Sequence, residues 1–406
     1  MNIALGILEK RGFLKQCTNL EVLSALMDRE KMVFYVGVDA TSTSLHIGHL
    51  IPFMAMAHLQ RQGHIPIALV GGGTTKIGDP SGKDVMRKIL PKEDIEENVK
   101  AIKEQLLRII DFSHGYILDN AEWLDNINYI EFLRDIGVYF SVNRMLGFET
   151  YKRRLKDGLS FIEFNYQLLQ SYDFYMLNKL KNCKLQIGGD DQWGNIVSGV
   201  DLVKRKLGTE VFGLTLPLIT RSDGKKMGKS EKGAVYLDSK LYSVYDFYQY
   251  FRNVPDLDVK KFLYLFTFLE DDEIEHISSF QGYLLNKAKE TLAFEITKIV
   301  HGESAALKAS SAATAAFKGG KGDKSDIPFF KLALTGLEGT ILLVDLMVSS
   351  KIVPSKSEAR RLISSGGVYV DKVRIGDQNY CLNKDNFTND EIELRIGKKK
   401  ILRIIL

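Results

Sequence analysis

The stretch from Met32 to Gly73 narrows most what this chain can fold into. "MVFYVGV" is apolar with β-branched and aromatic residues, "DATSTS" is a cluster of turn and cap residues, and "LHIGHLIPFMAMAHLQRQG" repeats apolar residues at helical spacing up to Gly63. "IPIALVGGG" is strand-like again. Strand, loop, helix and strand in immediate succession make a βαβ unit. Such a unit requires a parallel sheet and puts a ligand site at the carboxyl ends of its strands. "GVDATSTS" and "GGGTTKIGDPSGK" both fall at those ends.

The alternation continues with a helix at about 92–111, a strand "GYIL" and a helix at about 128–136. A long helix through "FIEFNYQLLQSYDFYMLNKL", a strand "KLQIGG" and a helix "QWGNIVSGVDLVKRKLG" follow. The pattern predicts an α/β fold: a doubly wound parallel sheet, Rossmann-like, followed by a helical domain and a small α+β domain. From about 241 to 315 the spacing is helical with no strand run, and "KGGKGDKSDIP" reads as a Gly- and Lys-rich linker. The expected divisions are 1–230, 231–317, a linker at 318–340, and 341–406. At 406 residues, two or three cores are the expectation.

The tail has a distinct character. "PSKSEARRLISSGG" carries Ser355 three residues before Glu358, a capping box opening a helix, and "VYVDKVRIGD" and "EIELRIGKKKILRIIL" alternate like strands of a small sheet. The net charge of +4 resides entirely here, since residues 341–406 hold 12 Lys and Arg against 8 Asp and Glu while the rest is balanced at 43 against 43. Arg360, Arg361, Lys372 and Arg374, with Lys398 to Lys400, are candidates for one basic RNA-binding face. A solvated surface is the plainer alternative.

Hydrophobic content of 45% and charged content of 26% are those of a soluble globular protein. No run of about 18 apolar residues occurs, and Glu9, Lys10 and Arg11 interrupt any signal-like core, so no membrane association and a cytoplasmic location are expected. Cys17, Cys183 and Cys381 are isolated and odd in number, which predicts buried free thiols rather than disulfides or a zinc cluster.

His46 and His49 flank Gly48 at the start of the first helix. Zinc needs a third ligand that the local sequence does not supply, so no metal site is predicted. Two core histidines remain possible among Leu45, Ile47 and Leu50. The third reading uses position: a helix N-terminus after a parallel strand attracts anions, and imidazoles there can donate to phosphate oxygens. "GDPSGKD" fails the P-loop pattern, and "GGGTTKIG" follows the wrong strand for a dinucleotide fingerprint. Far downstream, "RSDGKKMGKS" (221–230) makes a second cationic, glycine-rich loop just after the sheet.

"HIGH" and "KMGKS" resemble the two signatures of class I aminoacyl-tRNA synthetases. "YVGVDATSTSLHIGHL", "IGDPSGK", "YQLLQSYDF", "LQIGGDDQWGN" and "DGKKMGKS" resemble, in order and spacing, the bacterial-type tyrosyl-tRNA synthetase family along nearly the whole chain. The resemblance implies a catalytic domain at 1–230 with a dimer-forming insertion, a helical anticodon-arm-binding domain at 231–317, and an RNA-binding domain of the ribosomal-protein type at 341–406. It implies tyrosine and ATP as substrates, Mg2+ accompanying ATP, tRNA(Tyr) as acceptor, and a homodimer. Thr41 and His46 are then expected at the γ-phosphate, His49 by the ribose, and Lys83, Arg87, Lys226, Lys229 and Ser230 closing over pyrophosphate. Tyr35 and Asp173 are expected to read the phenolic hydroxyl, Asp79, Tyr166 and Gln170 the ammonium, and Gln192 the carboxylate region. Gly37, Asp39, Gly48, Gly189, Asp191 and Met227 complete the nucleotide side, with Asp191 towards the ribose.

Three positions depart from the family pattern: Val36, Gly228 where the class often has serine, and Asp190 where a smaller residue is frequent. Tryptophanyl-tRNA synthetase, a small nucleotidylyltransferase and a catalytically idle RNA-binding relative are the rival readings.

Overall fold

The computed structural model describes residues 1–81, 89–222, 224, 227–230, 233–318, 329–332, 340–388, 390–397 and 400–406, with the backbone alone at 229–230, 316–318 and 400. Two compact units emerge. The first comprises Met1–Tyr242 with Pro255–Phe280, the second Ser243–Val254 with Gln281–Leu406.

The first unit is built on six strands: β1 (Gln16–Cys17), β2 (Val33–Asp39), β3 (Ile65–Gly71), β4 (Tyr116–Asp119), β5 (Leu185–Gly189) and β6 (Phe212–Leu216), in the order β1-β6-β5-β2-β3-β4. β2 to β6 are mutually parallel, while β1 pairs with β6 in the antiparallel sense at the edge. The predicted sheet is therefore present with one antiparallel strand added. The periodicity does not mark β6, because its five residues are all buried, nor β1, which is too short to carry a pattern.

Helices α1 (Ile3–Lys10), α2 (Leu20–Arg29), α3 (Ile47–Arg61), α4 (Lys92–Ile109) and α5 (Ala121–Leu124) accompany the first half of the sheet. α6 (Tyr129–Asp135), α7 (Val142–Gly147), α8 (Glu149–Asp157), α9 (Phe161–Lys181) and α10 (Trp193–Leu207) accompany the second. From β2 the chain moves one way to β3 and β4, then crosses to β5 on the other side of β2. Right-handed crossovers in opposite directions put α3 and α10 on opposite faces of the sheet. α3 is apolar around most of its circumference, from Ile47 to Leu59, because it is buried against the sheet. Tyr35, Leu69, Phe174, Leu177, Cys183 and Leu202 form the core beneath α9 and α10.

The first unit does not end at residue 230. A two-stranded ribbon, β7 (Lys229–Ser230) with β8 (Gly233–Ala234), leads into residues 235–237, whose backbone bonds that of 45–47: Ile47 N donates to Val235 O (3.1 Å) and Leu237 N to Leu45 O (2.8 Å). α11 (Val244–Arg252) belongs to the second unit, whereas α12 (Val259–Phe266) and α13 (Asp271–Ser278) return to the first. Arg11 explains the return. Its buried guanidinium donates to the carbonyls of Tyr264, Thr267 and Leu269 at 3.2, 2.9 and 2.6 Å, satisfying the C-terminus of α12.

The second unit contains α11, α14 (Leu285–His301), α15 (Glu303–Lys318), α16 (Leu343–Ser349) and α17 (Lys356–Ser364). Its sheet, in the order β12-β11-β14-β15-β9, uses β9 (Phe329–Lys331), β11 (Val368–Val370), β12 (Val373–Ile375), β14 (Glu391–Ile396) and β15 (Lys400–Ile405). β10 (Ile341–Leu342) pairs with β13 (Cys381–Leu382). The segment read as linker thus contributes an edge strand, with Phe329 to Lys331 parallel to Arg403 to Ile405. Only half of the expected capping box forms: Ser355 Oγ accepts from Glu358 N (3.2 Å), while the Glu358 carboxylate turns to Arg361 (2.7 Å). Of the thiols expected to be buried, Cys183 is, Cys17 is half-buried and Cys381 is exposed. Among the described residues no helix is long and apolar enough to cross a membrane.

Candidate active site

At the carboxyl ends of β2 and β5, where the strand order reverses, a cleft of about 500 Å3 opens. It brings together Tyr35, Gly37, Asp39, Thr41, His46, Gly48, His49, Asp79, Tyr166, Gln170, Asp173, Gly189, Asp191, Gln192 and Met227. Lys83, Arg87 and Lys226 lie outside the described residues, as do the side chains of Lys229 and Ser230.

The two histidines are half-buried on the cleft wall. His46 is the N-cap of α3: its Nδ1 accepts from Gly48 N (3.1 Å), and His49 Nδ1 accepts from His46 N (3.3 Å). The rings stack with centroids 3.7 Å apart. A neutral imidazole whose Nδ1 accepts carries its proton on Nε2, which fixes the tautomer of both rings. Gly48 is required for this cap, since a Cβ there would stand 2.9 Å from His46 Cε1. Gly228 of the lysine signature packs on the same turn, with φ at +84° and the position of a Cβ only 3.3 Å from Gly48 N. Glycine at 228 therefore combines a left-handed backbone with close contact between the two signatures.

At the inner end, Tyr35 Oη is buried with no hydrogen-bond partner among the described residues, and burial beside Asp173 pushes its hydroxyl well above the usual range. Asp173 is itself buried, yet both carboxylate oxygens are held: Trp123 Nε1 donates to Oδ1 (2.8 Å) and Asn120 Nδ2 to Oδ2 (2.9 Å). Burial raises this carboxyl to about 7, while the two donors oppose the rise. Spacing on α9 sets Tyr166, Gln170 and Asp173 along one face, at i, i+4 and i+7.

Polar contacts continue outward. Asn120 Nδ2 also donates to Thr74 Oγ1 (2.9 Å), which donates to Asp39 Oδ1 (2.8 Å), and Tyr166 Oη donates to Asp39 Oδ2 (3.0 Å). Asp79 accepts from Ser81 N (2.9 Å) and from Gln192 Nε2 (2.8 Å). Asn195 Nδ2 donates to Gln170 (3.0 Å) and Gln192 (3.2 Å). Sequence reasoning missed Thr74, Asn120, Trp123 and Asn195. Apart from the Asn195–Gln192 bond, the partners that hold them are distant in the chain, and the only available signal was that each sits near a strand end or a named motif.

Asp191 is raised by burial first and by Asp79 next. Asp190, one of the three departures from the family pattern, has its Oδ1 accept from Gln16 Nε2 (2.6 Å) and Thr215 Oγ1 (2.9 Å), and its charge adds to the rise at Asp191.

In the second unit the four basic candidates are exposed, Arg360 and Arg361 on α17 and Lys372 and Arg374 at the β11–β12 hairpin. Arg374 Nε donates to Gly366 O (3.0 Å), tying the hairpin to the end of α17.

A parallel sheet with a His-x-Gly-His helix start at its switch point, and a lysine-signature loop packed on that helix, defines the class I tRNA synthetases. Residues 27–318 match the family of class I tRNA synthetases for W and Y, and residues 322–404 match the tyrosine--tRNA ligase SYY-like C-terminal domain. The tyrosine--tRNA ligase of Borrelia hermsii is 97% identical over 406 residues and that of Borreliella burgdorferi 70%, each covering 100% of both chains. A C-terminally truncated mitochondrial tyrosyl-tRNA synthetase of Aspergillus nidulans shares the fold with a TM-score of 0.71 at 30% identity, over 77% of this chain and 94% of that one. The chain belongs to the tyrosine--tRNA ligase family of class I aminoacyl-tRNA synthetases.

Proposed function

We propose the following division of labour within the cleft. The enzyme activates tyrosine with ATP as tyrosyl-adenylate, releasing pyrophosphate, and transfers the tyrosyl group to tRNA(Tyr). A tyrosine carboxylate oxygen attacks the α-phosphorus as the bond to pyrophosphate breaks. The nucleophile is already ionised at neutral pH, so the protein's task is to orient the reactants and stabilise charge growing on pyrophosphate.

Thr41 and His46 donate to the γ-phosphate and His49 to the ribose region. Lys83, Arg87, Lys226, Lys229 and Ser230 supply cations and a hydroxyl over pyrophosphate, engaging most strongly as the transition state forms. Tyr35 and Asp173 read the phenolic hydroxyl; Asp79, Tyr166 and Gln170 hold the ammonium, and Gln192 faces the carboxylate. Asp39 and Asp191 contact the adenylate, Asp191 at the ribose, with Gly37, Gly48, Gly189 and Met227 shaping the nucleotide side. Magnesium arrives with ATP, held by phosphates and water. Among the described residues no group of three or more His, Cys, Asp and Glu is placed to hold an ion.

Further parts of the proposal concern the whole enzyme. It works in the cytoplasm as a homodimer, with the dimer-forming insertion within residues 1–230. Tyrosine passes to a ribose hydroxyl of the 3′-terminal adenosine. Residues 231–317 meet the anticodon arm, and the basic face at 341–406, with Arg360, Arg361, Lys372 and Arg374, binds tRNA.

One observation carries the amino-acid assignment: the buried Tyr35 hydroxyl lies by a carboxylate clamped by Asn120 and Trp123. A side chain lacking a hydroxyl would leave the Tyr35 hydroxyl buried and unpaired, which is costly. The test is exchange of labelled pyrophosphate into ATP with tyrosine, phenylalanine or tryptophan, using Lys229→Ala as control. Exchange with tyrosine alone, lost in the control, is expected. Exchange with tryptophan, or with tyrosine and phenylalanine equally, would overturn the assignment.

A further inference from the structure

We propose that Gln105 on α4 is a positioning residue for adenylate formation, acting through the loop that carries Thr41 and His46. The inference rests on the reading of those two residues as phosphate donors. Residues 40–45 are neither helix nor strand, so their backbone groups need partners from elsewhere. α4 supplies them. Gln105, 6% exposed, accepts on Oε1 from Leu45 N (3.0 Å) and donates from Nε2 to Thr43 O (2.9 Å). Asn98, seven residues earlier on the same face, donates to Ala40 O (2.9 Å). The helix therefore grips the loop on both sides of Thr41, immediately before His46.

The grip extends to the second signature. Ser44 Oγ lies 3.2 Å from Gln105 Oε1 and 2.7 Å from Leu45 O, either of which can take its proton, and it accepts from Asp238 N (3.0 Å). Asp238 follows the segment Val235–Leu237, whose backbone bonds residues 45–47 just after the lysine loop. Gln105 thus fixes the histidine loop directly and the exit of the lysine loop through Ser44. An apolar residue of similar size could fill the same space, but the carbonyl of Thr43 and the N–H of Leu45 would be left without their partner. Gln105 does not line the cleft, so any effect on rate must pass through the loop.

The test compares full-length Gln105→Met and Gln105→Glu with the parent enzyme in single-turnover adenylate formation, after active-site titration. Gln105→Met is expected to slow adenylate formation about tenfold or more, with KM for tyrosine within about twofold and transfer from preformed adenylate to tRNA unchanged. Gln105→Glu keeps an acceptor for Leu45 N and is expected to fall between the two; it carries the test if the methionine variant fails to fold. Double variants with Thr41→Ala or His46→Asn should lose less than the product of the single losses. A parent rate per active site in both Gln105 variants, an equal rise in KM for tyrosine, or fully multiplicative losses would overturn the inference. Parent rates in Thr41→Ala and His46→Asn themselves would instead overturn the underlying assignment of those residues, and this inference with it.

Discussion

Asp173 shows how a single carboxyl links specificity, pH and stability. Burial raises it to about 7, so it titrates near neutral pH. A tyrosine hydroxyl donating to Asp173 favours the ionised form. The kcat/KM for tyrosine in pyrophosphate exchange is therefore expected to fall by up to about tenfold per pH unit below that point. Trp123→Phe removes a donor to Oδ1, raises the carboxyl further and moves this acid limb to higher pH; Asp173→Asn abolishes the limb. A profile unchanged in Trp123→Phe would sink the account. The same shift has a stability consequence. A carboxyl whose folded pKa is raised contributes stability that is present below its ordinary value near about 4 and is lost as pH rises through the folded value. Asp173→Asn should accordingly gain in Tm relative to the parent as pH rises from about 4 to 8, measured by thermal melts across that range.

α9 illustrates how an element is held so that a pocket can depend on it. Ser160 and Glu163 form a reciprocal capping box at its start, and the Glu163 carboxylate also meets the guanidinium of Arg154 on α8 at 3.0 Å, with both side chains nearly fully buried. Removing one partner leaves a buried charge. Arg154→Met is expected to destabilise the first unit by about 3 kcal/mol and to raise KM for tyrosine, because Tyr166 lies one turn beyond Glu163. Adding Glu163→Gln should recover part of the loss. Urea unfolding of the three proteins decides it, and an equal or larger loss in the double variant would refute the pairing argument. The box was there to be read in the order Ser-x-x-Glu, as α3, α4, α9 and α10 were in their apolar spacing. Arg154 as its partner was not, because a Tyr-Lys-Arg-Arg run looks like a solvated face until folding buries one of its basic side chains.

At the scale of the molecule, the cleft and the excess charge fall in different units. The cleft belongs to the first unit, while the sequence surplus of positive charge resides in residues 341–406 of the second. Arg360→Glu with Arg361→Glu is expected to raise KM for tRNA in aminoacylation and to flatten its logarithmic salt dependence by about one unit for each phosphate no longer neutralised. Tyrosine-dependent pyrophosphate exchange should stay at the parent level. An equal loss in both assays would show that these arginines serve folding rather than tRNA. The division of the chain was itself only partly legible: the helical spacing from 241 onward is real, yet residues 255–280 pack with the first unit, since Arg11 caps α12 there.

The sequence by itself determined the alternation of strand and helix, the two signatures and the basic tail, while the tyrosine-pocket residues were implied by the family resemblance that those motifs carry. The alternation, the signatures and the tail are local, being written in periodicities and short motifs that need no partner to be recognised. Only the tertiary structure decided which groups hold them: Asn120 and Trp123 on Asp173, Gln105 on the histidine loop, Gln16 and Thr215 on Asp190. A buried polar group is stable only when its partners are in place. Those partners come from tens to nearly two hundred residues away, where no local pattern records them.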